Sequence, residues 1–238
     1  MKKPGNELDD SLIVSALDLL QQAQDSGRAI FTTSMGLEDM VVGDLIASNQ
    51  LDIELVTLDT GRLYPETYDL IERAEAFWQR KITVMFPDSA RTEQYVQLHG
   101  INGFRDSIAQ RQLCCQIRKV GPLNRALAGA RAWVTGLRRD QSDSRNVLNP
   151  IEADEARSLR KFNPLFNWSA HDIQAYFKGR GIPTNPLHSR GFPSIGCAPC
   201  TRAVEPGEPE RSGRWWWEQE SNRECGLHQH RDKKPEEV

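Results

Sequence analysis

Five cysteines offer this chain its most distinctive chemistry: an adjacent pair, Cys114-Cys115, a Cys-x-x-Cys running from Cys197 to Cys200, and a fifth, Cys225, near the C-terminus. The first four supply four thiolates, the ligand count of a 4Fe-4S cluster or of a structural zinc. Neighbouring residues on a helix diverge by about 100°, so converging both members of the adjacent pair on one small ion needs distortion. A larger iron-sulfur cube can meet them at separate corners, and the reading favours the cluster. Buried or merely reduced thiols are the bland alternative, and two tight pairs fit it poorly. Cys225, in Glu224-Cys225-Gly226-Leu227-His228, lies in a charged tail. Taken alone it reads as a free surface thiol. With four cysteines consumed by a cluster, however, a covalent intermediate on Cys225 has no second thiol in the chain to resolve it. An external dithiol is then required, and thioredoxin is the usual cytoplasmic candidate.

Basic residues crowd the same segments. Arg118 and Lys119 follow the cysteine pair, Arg138, Arg139 and Arg145 follow an apolar run, and Arg202, Arg211 and Arg214 follow the Cys-x-x-Cys. The chain's formal net charge is -3, which argues against a polyanion such as nucleic acid as main partner. Focused cations on an acidic protein point instead to a small, highly charged ligand such as a phosphosulfate, although any one of these arginines reads equally well as ordinary surface. Ser34-Met35-Gly36-Leu37-Glu38-Asp39 sits between an expected strand and helix, where backbone amides and the helix dipole can hold part of a nucleotide. Alone it reads equally as a tight turn. Trp215-Trp216-Trp217 cannot form one helix face and reads as packing of the tail onto the body. His228 reads as a solvated tail histidine.

The elements that must position these residues alternate. Leu8 to Gln24 reads as an amphipathic helix, Ala29 to Ser34 as a strand, Leu37 to Ser48 as a helix, Ile53 to Asp59 as a strand, Pro65 to Arg80 as a helix with Pro in its first turn, and Ile82 to Phe86 as a short strand. Gln110 to Ala128 reads as a helix carrying the cysteine pair, interrupted near Gly121-Pro122, and Ala132 to Leu137 as a further strand. Asn146 to Leu159 is polar and acidic and reads as a surface excursion. Ser169 to Lys178 reads as a helix capped by Ser169, with Asp172 three residues on. This is an α/β pattern with a mainly parallel sheet, helices on both faces and ligands beyond the carboxyl ends of the strands. From Ile182 onward the pattern gives way to an irregular, site-building segment and then a mobile tail. The expected division is a nucleotide-binding α/β unit over 1–184 and a C-terminal segment over 185–238.

At 238 residues, 38% apolar and 26% charged, the chain has the composition of an ordinary soluble protein. The apolar run from Leu12 to Leu20 is broken by Asp18 and fits neither a signal peptide nor a membrane span, so a cytoplasmic location is the default expectation.

The chain resembles the assimilatory adenylyl-sulfate reductases, within the larger group of phosphoadenylyl-sulfate reductases. The matching pieces, in order, are Ser34 to Asp39, Leu58-Asp59-Thr60-Gly61 with Tyr64-Pro65-Glu66-Thr67, Cys114 to Lys119, Trp133-Val134-Thr135-Gly136 running into Arg138 to Ser142, Asn185-Pro186-Leu187-His188, Ser194 to Arg202, Gly213 to Glu218, and Glu224 to His228. They span nearly the whole chain. The resemblance implies an adenine-nucleotide α-hydrolase-like (Rossmann-like) fold and a 4Fe-4S cluster on Cys114, Cys115, Cys197 and Cys200. It also implies thioredoxin-dependent reduction of adenosine 5′-phosphosulfate to sulfite and AMP through an S-sulfonated Cys225, and by analogy a dimer or tetramer. By motif position, Ser34, Gly36, Leu58 and Gly136 are expected to contact the nucleotide, and Lys119, Arg145, Arg211 and Arg214 the phosphosulfate. The rival readings are reduction of the 3′-phosphorylated substrate or use of both, an ATP-activating enzyme of RNA thiolation, and a non-catalytic nucleotide-binding iron-sulfur sensor.

Overall fold

Strands that alternate large apolar residues between two buried faces build a sheet covered on both sides. In the computed structural model, which describes residues 8–141 and 147–218, six strands form one sheet in the order β3-β2-β1-β4-β6-β5. They are β1 (Ala29–Thr33), β2 (Glu54–Leu58), β3 (Thr83–Met85), β4 (Ala132–Val134), β5 (Ile151–Asp154) and β6 (Leu159–Phe162). All neighbours are parallel except β5, which runs antiparallel to β6. Phe31, Leu55, Val134 and Phe162 face helices α1 (Asp10–Asp25), α2 (Leu37–Ser48), α3 (Pro65–Trp78) and α7 (Ala170–Phe177). Their neighbours Ile30, Val56, Trp133 and Leu159 face α6 (Gly121–Ala126). The expected α/β architecture is therefore present, with the helix over Leu37–Ser48 and the Ser169/Asp172 capping box as the sequence pattern predicts.

α2 is buried from Asp39 to Ile46, as a helix apolar on most of its circumference must be. Gly43 lets it lie against Trp78 of α3, since a Cβ at residue 43 would be driven into the indole. Its buried Asp44 accepts a 2.8 Å hydrogen bond from the Tyr176 hydroxyl of α7. Among the described residues no helix is long and apolar enough to cross a membrane.

One expectation needs correction. The stretch read as a surface excursion holds β5 and β6, which extend the sheet beyond β4; its first residue, Asn146, lies outside the described residues. The strand pattern is disguised by Lys161, a cation at an inward position of β6, where its ammonium pairs with Glu152 of β5 at 3.1 Å and lies over the Trp133 ring. The helix carrying the cysteine pair is interrupted near Gly121-Pro122, as expected, by a change of character just ahead of it. α5 (Ile108–Cys115) passes into a π-helical turn over Gln116–Val120, and Gly121 opens α6. Pro122 has no N–H for the carbonyl four residues back, which accounts for the wider turn ahead of it. A further helix, α4 (Ser89–His99), buries only Tyr95 and leaves no clear periodic signal in the sequence.

Candidate functional site

The chain order makes β1 the point where the sheet is built outward in both directions, through β2 and β3 on one side and β4 and β6 on the other. At such a switch point the loops beyond adjacent strands diverge and leave a crevice. One flank is Ser34-Met35-Gly36, where Met35 is buried with φ 62° and its amide donates to the Thr33 hydroxyl at 2.9 Å. A buried non-glycine residue in this left-handed region stores strain that the surrounding structure must hold. The turn is fixed from below by Asp39, whose carboxylate accepts from both the Ser34 amide and the Ser34 hydroxyl, the latter at 2.8 Å. Burial pushes the Asp39 carboxyl up to about 6, against those hydrogen bonds. The other flank is Thr135-Gly136. The Thr135 hydroxyl donates to Asn163 at 2.6 Å, and Gly136 lies so close to Asp39 that any Cβ there would overlap the carboxylate.

A cavity of about 220 Å³ opens from this crevice. Ser34, Gly36, Leu58 and Gly136 line it, and so do Lys119, Arg211 and Arg214. Seven of the eight residues expected to contact substrate thus share one cavity; Arg145 lies outside the described residues. Arg214 enters over Gly196, where a Cβ would collide with its guanidinium, and lies 4.8 Å over the ring of Trp215. Other arginines of the basic clusters are committed elsewhere. Arg138 is buried against Glu38 at 2.8 Å, Arg202 pairs with Glu208, and Arg139 donates to the Leu148 carbonyl at 2.7 Å.

Cys197 lines the same cavity. It gathers with Cys115, Cys200, Phe104 and Trp215 into a buried cluster against which Cys114 and Trp217 pack, so the tryptophan run does fold onto the body. None of these four cysteines is in a disulfide. Among the described residues no group of three or more His, Cys, Asp or Glu converges as for a single metal ion. Burial pushes the Cys114 thiol up, and it pushes Cys200 up to about 12, with Cys197 adding to the effect. Burial acts the same way on Cys197, but Lys119, the Thr60 hydroxyl 3.2 Å away, Arg214 and Arg118 outweigh it and hold this thiol below its ordinary range. Cys225 and His228 lie outside the described residues.

Sequence reading missed Arg111. Its side chain is 1% exposed and pairs at 2.7 Å with Glu218, 4% exposed. It also lies 4.7 Å over Trp215 and hydrogen-bonds Cys115. One side chain thereby ties α5 to the segment that follows the Cys-x-x-Cys. The 107 positions between the partners leave no local signal for it.

A doubly covered α/β sheet, with a crevice at its switch point and a cationic wall backed by clustered cysteines, makes a cavity with the form of a site for a small anionic ligand. Residues 28–203 match the phosphoadenosine phosphosulfate reductase domain, and the chain belongs to that family. It is 55% identical over 202 residues, 85% of this chain and 76% of the relative, to the adenosine 5′-phosphosulfate reductase of Rhizobium meliloti (strain 1021). It is 48% identical over 215 residues, 90% of this chain and 84% of the relative, to the protein of the same name from Allochromatium vinosum. Among solved structures it resembles the phosphoadenylyl-sulfate reductase of Candida auris in its phosphate complex, with TM-score 0.68 and 28% identity over 82% of this chain and 95% of that one. Candida glabrata FMN adenylyltransferase shares the fold alone, with TM-score 0.52 and 15% identity over 87% of this chain and 71% of that one.

Proposed function

We propose that this chain is an oxidoreductase acting on sulfur that reduces adenosine 5′-phosphosulfate to sulfite and AMP, using Cys225 as nucleophile and an external dithiol, thioredoxin, as reductant. The observation that carries the reading is the joining, in one cavity, of a switch-point crevice suited to a nucleotide and a cationic wall backed by cysteines. The names of the relatives fit that chemistry. In this reading Ser34, Gly36, Leu58 and Gly136 hold the nucleotide. Lys119, Arg211 and Arg214, with Arg145, neutralise the phosphosulfate, whose charge otherwise repels a thiolate. The Cys225 thiolate attacks the sulfate sulfur, the bond from sulfur to the bridging phosphate oxygen breaks, and AMP leaves with the electron pair. A thiolate of the dithiol then attacks the Cys225 sulfur, sulfite departs, and the second thiol frees Cys225 as the dithiol closes to a disulfide. The dithiol supplies both electrons.

Cys114, Cys115, Cys197 and Cys200 fit a 4Fe-4S cluster. None of them is in a disulfide, they gather behind aromatic rings, and Lys119, Arg118 and Arg214 lie near Cys197. Once bound, the cluster supplies a charged cross-link between the cysteine-pair helix and the Cys-x-x-Cys turn. Residues 1–184 then act as the nucleotide platform and 185–238 as the segment that completes the anionic end, in a cytoplasmic protein whose relatives' activity belongs to sulfate assimilation.

The test is intact mass spectrometry of anaerobically purified protein incubated with adenosine 5′-phosphosulfate. One sulfonate adduct on Cys225, erased by reduced thioredoxin and lacking in Cys225→Ser, is expected. A cofactor-loaded, nucleotide-binding sample that forms no adduct refutes the mechanism.

A further inference from the structure

The cavity has two electrical ends. Lys119 and Arg214 mark one, on the wall that Cys197 also lines. At the other, beside the switch-point crevice, Glu38 and Glu210 line the wall. Arg138 sits between them with its side chain 2% exposed, 2.8 Å from Glu38, 3.3 Å from Asp140 and 4.0 Å from Glu210. Among the described residues three carboxylates surround the one guanidinium of Arg138 here, an excess of negative charge beside the cationic wall to which Arg211, next to Glu210, belongs. Burial pushes the Glu210 carboxyl up; Arg138 pulls it down, while Glu38 and Asp140 push the same way as burial. A carboxylate in that position repels further negative charge.

A nucleotide that carries its anionic group at the Lys119 and Arg214 end must lay its sugar towards Glu38 and Glu210. Ribose hydroxyls suit such carboxylates, since each hydroxyl can donate to them. A second phosphate on the sugar does not, because like charges brought together in a partly desolvated site cost affinity. We infer that Glu210, held with Glu38 around buried Arg138, is a specificity-determining residue that selects nucleotides with an uncharged ribose and rejects those bearing a 3′-phosphate.

This rests on the proposed nucleotide site, so the test uses unreactive nucleotides and separates the two. Calorimetry on the full-length protein measures AMP against adenosine 3′,5′-bisphosphate at low and high salt. The wild type is expected to prefer AMP by at least about tenfold at low ionic strength, with the preference shrinking as salt screens the repulsion. Glu210→Gln is expected to narrow the ratio by roughly fivefold, and Glu210→Asp, which keeps the charge, to retain most of it. The Glu210 side chain is 51% exposed, so these variants are not expected to disturb the core. If both nucleotides bind equally well, or the ratio is the same in Glu210→Gln, the inference is overturned while the nucleotide site stands. If neither binds, the site reading itself falls and takes the inference with it.

Discussion

Removing Glu218 strands the Arg111 guanidinium in the cysteine cluster. Burial by itself works against the charge on Arg111, and Glu218, with a smaller share from Cys115, outweighs it, so the carboxylate is the main partner that makes this position tolerable. The two side chains are 1% and 4% exposed, so solvent cannot substitute for a missing carboxylate. Breaking a buried pair from one side costs about 3–5 kcal/mol, whereas replacing both members with apolar residues of similar volume is close to neutral. For a chain of this size each kcal/mol moves the midpoint by roughly 2–4 °C, so Glu218→Leu is expected to lower Tm by about 10 °C. The double variant Arg111→Met with Glu218→Leu is expected to recover most of the loss. Tryptophan fluorescence suits the assay because Trp215 stacks on Arg111. Midpoints need comparing at equal cofactor loading, since a bound group adds stability by mass action. A single-variant shift below about 3 °C, or a double variant no more stable than the single, refutes the reasoning.

Gly136→Ala puts a methyl into the Asp39 carboxylate and is expected to weaken AMP binding by at least about tenfold, the scale of a misplaced contact in a preorganised site; unaltered affinity by calorimetry counts against the crevice. Burial pushes the Asp39 carboxyl up from the ordinary carboxylate range to about 6, so its protonated form favours folding and this contribution fades as pH rises from about 4 to 6. In Asp39→Asn the stability gain over wild type is therefore expected to grow by about 1 kcal/mol between roughly pH 5 and 7, and a gain that stays flat or shrinks in urea titrations contradicts the assigned cause.

What could be read from sequence followed local physics. The helix over Leu37–Ser48 and the Ser169 cap were legible because glycine, serine and apolar periodicity act over a few residues. The shared cavity was legible through the motifs of the resembled family, whose residues in this chain line it together. The β5–β6 hairpin was not, because Lys161 occupies an inward position and is satisfied by Glu152 and Trp133, groups a local window cannot assign to it. Arg138 was read with the ligand-facing arginines, yet Glu38, a hundred residues away, claims it. Arg111 and Glu218 were hidden for the same reason of distance.

The π-helical turn after Cys115 makes the spacing of this segment unforgiving. Upstream of it the helix aims thiols at the cysteine cluster, and within it Lys119 is aimed at the cavity. Each residue of an ordinary helix advances the direction of its side chain by about 100°. A single deletion between Cys115 and Lys119 would tighten the turn and swing the ammonium off the cavity wall while leaving the composition almost unaltered. Drift through substitution can be absorbed there, but a change of length cannot.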